Sequence, residues 1–289
     1  MMKQPKVDII ILNWNGLDDT IECLGSLQKL TYPNYRVIIV DNGSKNNELE
    51  AIKAAYPNDK KFVFIQNTTN LGFAGGCNVA IDRSLQDGTP FVLLLNNDTL
   101  TDPKLLDELV GAAGQDKQAG VVGAKIYLHS EPKEIWTAAT YFNFYFPPLS
   151  KMKYPDSTVE VNSVIGCCML IRSSVFEAIG KLDEEYFAYG EEDDFNMRAR
   201  KAGYKLIYCP SAELWHKVSS STGGGFNPTV AYLKMRNKIK FAKKNYGFKY
   251  WPSYAVFLVA YFLKSQVKAI ARRDYKVATA LLRGVRDGV

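Results

Sequence analysis

"LLLNNDTLTD", residues 93–102, is the stretch on which the fold is decided. Its apolar half completes a run that begins at Phe91 and stops abruptly at Asn96, Asn97 and Asp98, with no basic residue beside the carboxylate. A short, unbroken, leucine-rich run of this kind predicts a strand buried on both faces, as in a parallel sheet covered by helices. Working outward, the pattern recurs as VDIIILNW (7–14), RVIIVDN (36–42) and KFVFIQN (61–67). Between these runs lie apolar residues at helical spacing: Ile21, Leu24, Leu27 and Leu30, then Leu49, Ile52 and Ala55, then Val79, Ala80 and Leu85. Strand alternating with helix predicts an α/β fold with a mostly parallel sheet and flanking crossover helices.

Ligands of such sheets bind beyond the carboxyl ends of the strands. Here those ends are polar: Asn13, Trp14, Asn15 and Gly16, then Asp41, Asn42, Gly43 and Ser44, then Asn67, then Asn96 to Asp98. A binding site on that rim is the expectation. Asp98 suits a hard cation such as Mg2+ or Mn2+, which takes few protein carboxylates when substrate phosphates supply the other oxygens; taken alone, N-D-T is equally a turn cap. Asp41 suits a nucleobase edge or a ribose hydroxyl, or an Asx-turn through Asn42 and Gly43. NLGFAGGCN (70–78) opens a helix, where free N–H groups favour anions, although Gly72, Gly75 and Gly76 form neither a dinucleotide fingerprint nor a Walker loop.

Beyond residue 119, AGVVGAKIYL (119–128) and VEVNSVIGCCMLIR (159–172) read as strands, separated by an aromatic, proline-bearing loop. GEEDDFNMRARKAGY (190–204) reads as a helix opened by four acids. Asp194 and Arg198 stand at pairing distance along it, and crowding of Glu191 to Asp194 raises carboxyl pKa values, as a general base requires. His216 precedes KVSSSTGGG, where it suits metal ligation and the loop suits a lid.

The formal charge is +6, and basic residues crowd the end of the chain from Lys264 to Arg286, which suggests an anionic partner there. Five cysteines without a C-x-x-C pair imply reduced thiols and a cytoplasmic enzyme. The N-terminus lacks the features of a signal peptide. YAVFLVAYFL (254–263) is shorter than the roughly 20 residues of a spanning helix, so no ordinary membrane span is expected. The tail from about 228 predicts two or three amphipathic helices; its Trp251, Tyr254 and Tyr261 beside apolar and basic residues suit an anionic membrane surface, or packing on the catalytic unit or a second subunit.

In order, VDIIILNWNG, VDNGS, NLGFAGGCN, LLLNNDT, GCCMLIR, FAYGEEDDFNMRARKAGY, WHKVSSSTGG and YLKMRNKIKF resemble the inverting glycosyltransferases of family 2, in particular the bacterial rhamnosyltransferase-like members with the GT-A fold. The resemblance implies a catalytic domain over residues 1–245 and an amphipathic helical region over 246–289. It makes N-N-D a version of the D-x-D metal motif, with Asp98 and His216 holding Mg2+ or Mn2+. It places Glu192, Glu191 and Asp194 on the acids of the catalytic motif, with Glu192 where the family has Asp. Asn13, Trp14, Asn15, Asp41, Gly72, Phe73, Asn78, Asn97 and Arg198 would serve the nucleotide sugar. The implied donor is dTDP-rhamnose or a UDP-sugar, and the implied acceptor a surface polysaccharide or lipid-linked glycan. Rival readings are a sugar nucleotidyltransferase, which would want a glycine-rich basic signature near the N-terminus, and a non-catalytic nucleotide-sugar sensor or membrane scaffold. Nucleic-acid binding is disfavoured because the basic residues form no aromatic-interleaved patch.

Overall fold

The computed structural model describes residues 4–57, 60–143, 147–218, 227–247 and 250–289. The first half of the chain runs β1 (Val7–Asn13), α1 (Leu17–Leu27), β2 (Tyr35–Asn42), α2 (Glu48–Ala55), β3 (Phe62–Asn67), α3 (Gly72–Gln86), β4 (Phe91–Asn96), β5 (Thr99–Thr101) and α4 (Leu105–Gln115). There follow β6 (Ala119–Leu128), β7 (Ile135–Thr137), β8 (Ala139–Tyr141), β9 (Lys151–Lys153), β10 (Val159–Val161), β11 (Cys168–Arg172), α5 (Ser173–Ile179), α6 (Glu191–Lys201) and β12 (Lys205–His216). The tail forms α7 (Pro228–Asn245), α8 (Trp251–Ala271) and α9 (Tyr275–Gly288).

One sheet has the order β10-β12-β6-β11-β4-β1-β2-β3, with β5 and β7 attached to β12 and β6. The predicted strands pair in parallel, β4 with β1, β1 with β2 and β2 with β3, and β12 joins β6 in the same sense. β11 runs antiparallel between β4 and β6, so the sheet is mixed on its second half. The side-chain period of two divides each central strand between two cores. Ile9, Ile11, Val37, Ile39, Leu93 and Leu95 pack with α1 and α4 on one face, and Ile10, Ile38, Val40, Val92 and Leu94 pack with α3 and α5 on the other. All five cysteines are buried and free.

Four expectations need correction. β3 is not buried on both faces, because it is the edge strand of the sheet and four of its six residues are only half-buried. The single strand expected over 159–172 divides into β10 and β11, since Asn162 turns aside to bond the backbone of Phe142 at both N–H and carbonyl. The aromatic loop before it contains the antiparallel pair β8–β9. The apolar run 254–263 lies inside α8, whose 21 residues are long and apolar enough, by length and composition, to cross a membrane.

The three tail helices gather a third core with Tyr186, around Met235, Ile239, Phe241, Tyr254 and Leu281. α7 therefore packs with the tail helices as well as against the sheet domain.

Candidate active site

The carboxyl ends of β1, β2 and β4, the N-terminus of α6 and the inner faces of α7 and α8 enclose one cleft of about 1140 Å³. Asp98 lies just beyond β4, and β5 pairs with β12 so that Thr99 opposes His216. This register joins two residues 118 positions apart: His216 Nε2 stands 3.0 Å from Asp98 Oδ1. Both are almost fully buried and both line the cleft. Two ligands bonded at ~2.1 Å to adjacent corners of an octahedron are separated by about this distance. His216 Nδ1 is buried with no hydrogen-bond partner among the described residues, and the ring is held against Trp136 at 4.7 Å. The pair fits a hard divalent ion that takes its remaining oxygens from phosphate and water. No larger cluster of His, Cys, Asp or Glu suited to a metal occurs among the described residues.

The expected nucleotide residues separate into two groups. Trp14, Gly72, Phe73 and Asn97 face the cleft. Asn13 and Asp41 stand behind it: Asn13 is fully buried, donating to Asp41 Oδ2 at 2.9 Å and Glu48 Oε2 at 2.9 Å, while Asp41 Oδ1 accepts the Ser44 N–H at 3.0 Å. Asn15 accepts the Lys45 N–H and closes the same turn. This network orders the rim behind the cleft wall, each buried polar group paired with another. Asn42, expected on the rim but not in the nucleotide-binding set, is on the cleft wall and organises it: its amide donates to Asn70 and to the Gly72 carbonyl and accepts from Asn67 and the Leu71 N–H.

The anion site expected at the start of α3 is taken. Phe73 and Ala74 donate their N–H groups to the Phe187 carbonyl at 2.6 and 3.3 Å. Gly72, at φ +76°, permits this approach; a Cβ there would lie 2.4 Å from the Phe187 oxygen. Asn78 is likewise occupied, donating to the Leu182 carbonyl and Glu184. Both contacts dock the segment that leads into α6.

That segment is bent: Phe187 and Tyr189 have φ of 64° and 69°, where non-glycine residues are uncommon, and Gly190 has 102°. It brings Glu191, Glu192 and Asp193 to the cleft and leaves Asp194 outside it. Asp194 is fully buried and bonded to Arg198, Lys244 and Asn245, and Arg198 also donates to the Ile179 and Lys181 carbonyls. Asp194 and Arg198 thus pair as expected, but as a fastening of α6 and not as groups facing a ligand. Asp193, absent from the sequence-based set, takes the open place. Its carboxyl is pushed up to about 7 by burial and by the charge of Glu192. Burial and Glu192 also hold Glu191 well above the ordinary carboxylate range, and Glu191 Oε2 has no partner among the described residues. Glu192 Oε2 accepts the Gly190 N–H at 3.0 Å. Of the stretch KVSSSTGGG (217–225) expected to form a lid, residues 219–225 lie outside the described residues.

Asn237 of α7 secures this bend. Its amide is 2.7 to 2.9 Å from the carbonyls of Tyr186, Ala188 and Tyr189. Asn237→Ala should lower stability by about 1–3 kcal/mol through the orphaned carbonyls and lower turnover by loosening the acids. Thermal unfolding together with steady-state rates tests this, and an unchanged Tm would refute the fastening role.

The residues 8–180 match the model of the family described as glycosyl transferase family 2. The acids of α6 and His216 lie beyond the matched segment. Among curated relatives, an N-acetylglucosaminyl-diphospho-decaprenol L-rhamnosyltransferase of Mycobacterium tuberculosis is 28% identical over 233 residues, covering 69% of this chain and 72% of that protein. An N-acetylglucosaminyltransferase of Azorhizobium caulinodans is 25% identical over 220 residues, covering 72% and 54%. Among solved structures, the mannosyltransferase PcManGT of Pyrobaculum calidifontis in complex with GDP-Man and Mn2+ has a TM-score of 0.61 at 15% identity, covering 99% of this chain and 74% of that one. GalNAc-T7 with UDP, GalNAc and Mn2+ has a TM-score of 0.68 at 14% identity, covering 84% and 48%. These likenesses carry the GT-A fold. With a family match over more than half its length, the chain belongs to glycosyltransferase family 2 and is a glycosyltransferase.

Proposed function

We propose that the cleft binds a nucleoside-diphosphate sugar, either dTDP-rhamnose or a UDP-sugar, and transfers the sugar with inversion to a hydroxyl of a lipid-linked or surface glycan. The observation that carries this reading is the placement of a buried Asp98–His216 pair and of three carboxylates on the walls of one cleft. Asp98 and His216 would hold Mg2+ or Mn2+, which when bound supplies positive charge against the departing diphosphate. Trp14, Asn97 and the rim ordered by Asn42 orient the nucleotide end. Glu192 removes the proton from the acceptor hydroxyl as its oxygen attacks the anomeric carbon, and the bond to the diphosphate breaks in the same displacement. The charge of Glu192 helps to raise both Glu191 and Asp193. One displacement on one face of the sugar inverts the anomeric centre.

Calorimetric titration of UDP and dTDP tests the donor half, with Mn2+ and with chelator. The expected result is metal-dependent binding of one of them; binding of neither would overturn the assignment.

The domain division follows the same reading: residues 1–245 carry the metal-binding pair and the acids, and 246–289 form a helical appendage that completes the cleft wall through Tyr254, Phe257 and Tyr261, with α7 shared between them. On α8, Val256, Val259, Leu263, Val267 and Ile270 are all more than half exposed and fall on one side of the helix, while Lys264, Lys268, Arg272 and Arg273 flank them in the sequence. An apolar face bordered by cations suits helices that lie in a membrane interface. The reading is therefore peripheral attachment at the cytoplasmic leaflet, because the opposite face of α8 is committed to the tail core through Tyr254 and Leu258. The full chain should float with anionic vesicles and Val259→Glu/Leu263→Glu should not; equal flotation of the two would refute the contact.

A further inference from the structure

We propose that Lys234 and Lys238 of α7, backed by Phe257 and Tyr261 of α8, form an anion subsite that takes the diphosphate of a prenyl-diphosphate-linked acceptor. The inference rests on the glycosyltransferase reading of the cleft and assigns the half of it that the donor leaves open.

α7 carries six basic side chains, and their partners separate them. Arg236 bonds Asn237 and the carbonyls of Glu185 and Tyr186. Lys240 pairs with Glu185, Lys244 with Asp183 and Asp194, and Lys243 with the Val289 carbonyl. Lys234 and Lys238 alone among them have no hydrogen bond or ion pair with a described residue, and these two line the cleft. Their contacts are aromatic: Lys238 Nζ lies 5.8 Å from the Phe257 ring centre and 5.2 Å from that of Tyr261, and Lys234 Nζ lies 4.9 Å from that of Tyr189. Stacking of this kind orients an ammonium and leaves its N–H donors unspent.

Their electrostatic setting favours an anion. Burial lowers the pKa of Lys238, Asp193 opposes the shift, and the neighbouring charge of Lys234 adds to it. A phosphate shared by the two ammonium groups would relieve their mutual repulsion and satisfy donors left in a half-buried wall. The subsite shares the cleft wall with the acids of α6. The donor's diphosphate has its place at Asp98 and His216, whereas Lys238 is close enough to Asp193 and Glu192 to feel their charge. An acceptor phosphate held there brings the sugar it carries beside the acids, with the aromatic side chains as a wall for the ring. Among the relatives, the rhamnosyltransferase of Mycobacterium tuberculosis has a diphospho-linked prenyl acceptor in its name.

The test uses the full chain, with geranyl diphosphate as the probe titrated in chelator, so that the metal half of the cleft is silent. Wild type should bind it, and Lys234→Gln and Lys238→Gln should each weaken binding at least ~10-fold, the size of one charge-assisted hydrogen bond. Inorganic pyrophosphate should show the same lysine dependence at lower affinity, which separates the headgroup from the prenyl chain. In both variants the Mn2+-dependent affinity for UDP or dTDP should stay within about twofold, which also reports that the chain is folded; Lys234→Gln serves if Lys238→Gln unfolds. Undiminished geranyl diphosphate binding in both variants would overturn the subsite. Loss of nucleotide affinity in a folded variant would overturn it too, by giving the lysines to the donor. Failure of wild type to bind any nucleoside diphosphate with Mn2+ would instead strike the donor reading, and the acceptor assignment with it.

Discussion

Asp98→Ala should abolish Mn2+-dependent nucleoside diphosphate binding and lower sugar transfer by on the order of 10³-fold or more. The expectation follows from how little else can take over its place. Asp98 and His216 are the charged or imidazole groups at the end of β4 and β12 that face the cleft, and no third ligand stands beside them among the described residues. A diphosphate leaving without its counter-charge loses several kcal/mol of stabilisation, and ~4 kcal/mol is about a thousandfold in rate. The substitution leaves in place the Asp98 carbonyl, which accepts the Lys217 N–H at 3.0 Å and holds the β4–β12 junction. Residual transfer within tenfold of wild type, or nucleotide binding that still responds to chelator, would sink the metal assignment.

Glu192→Gln should lower the maximal rate about 10²- to 10⁴-fold while leaving nucleotide binding intact, the usual signature of a lost general base. The same cluster sets a pH dependence of stability. Asp193 is raised in the folded chain from 3.8 to about 7, so its folded form holds a proton that its unfolded form has released. Its contribution to stability is therefore fully present below about pH 4 and is lost as pH rises through 7. Asp193→Asn should remove that loss and raise Tm relative to wild type by about 2–4 °C at pH 8, the size of a modest single-site change in a chain of this length, with no gain at pH 4. In Glu192→Gln the wild-type slope should shrink as well, because one of the charges that raises Asp193 is gone. Full activity in Glu192→Gln would move the base to Asp193 or out of the cluster.

Much of the fold was legible because the central strands are nearly pure apolar runs. Ile9 to Ile11, Val37 to Val40 and Val92 to Leu95 can satisfy both faces only in the middle of a sheet covered by helices on both sides, and they lie there. β11 was harder to read, since an antiparallel strand inserted between β4 and β6 has the same apolar composition as its parallel neighbours. The apolar run 254–263 does not show the length of α8, because half-polar turns on either side extend the helix to 21 residues.

The chain alone determined that Asp98 ends a buried strand and that four acids open a helix, because both follow from local composition and period. Which of those acids meets the cleft was decided only by tertiary structure. Successive residues of a helix point about 100° apart, and the bend at Phe187 to Gly190, held by Asn237 and Gly72, turns Asp193 inward and Asp194 onto Arg198. The same holds for the junction of Asp98 with His216, and for the two lysines of α7. These contacts join segments tens to more than a hundred residues apart, and a side chain's partner across such a distance is set by strand register and helix packing, which no local pattern encodes.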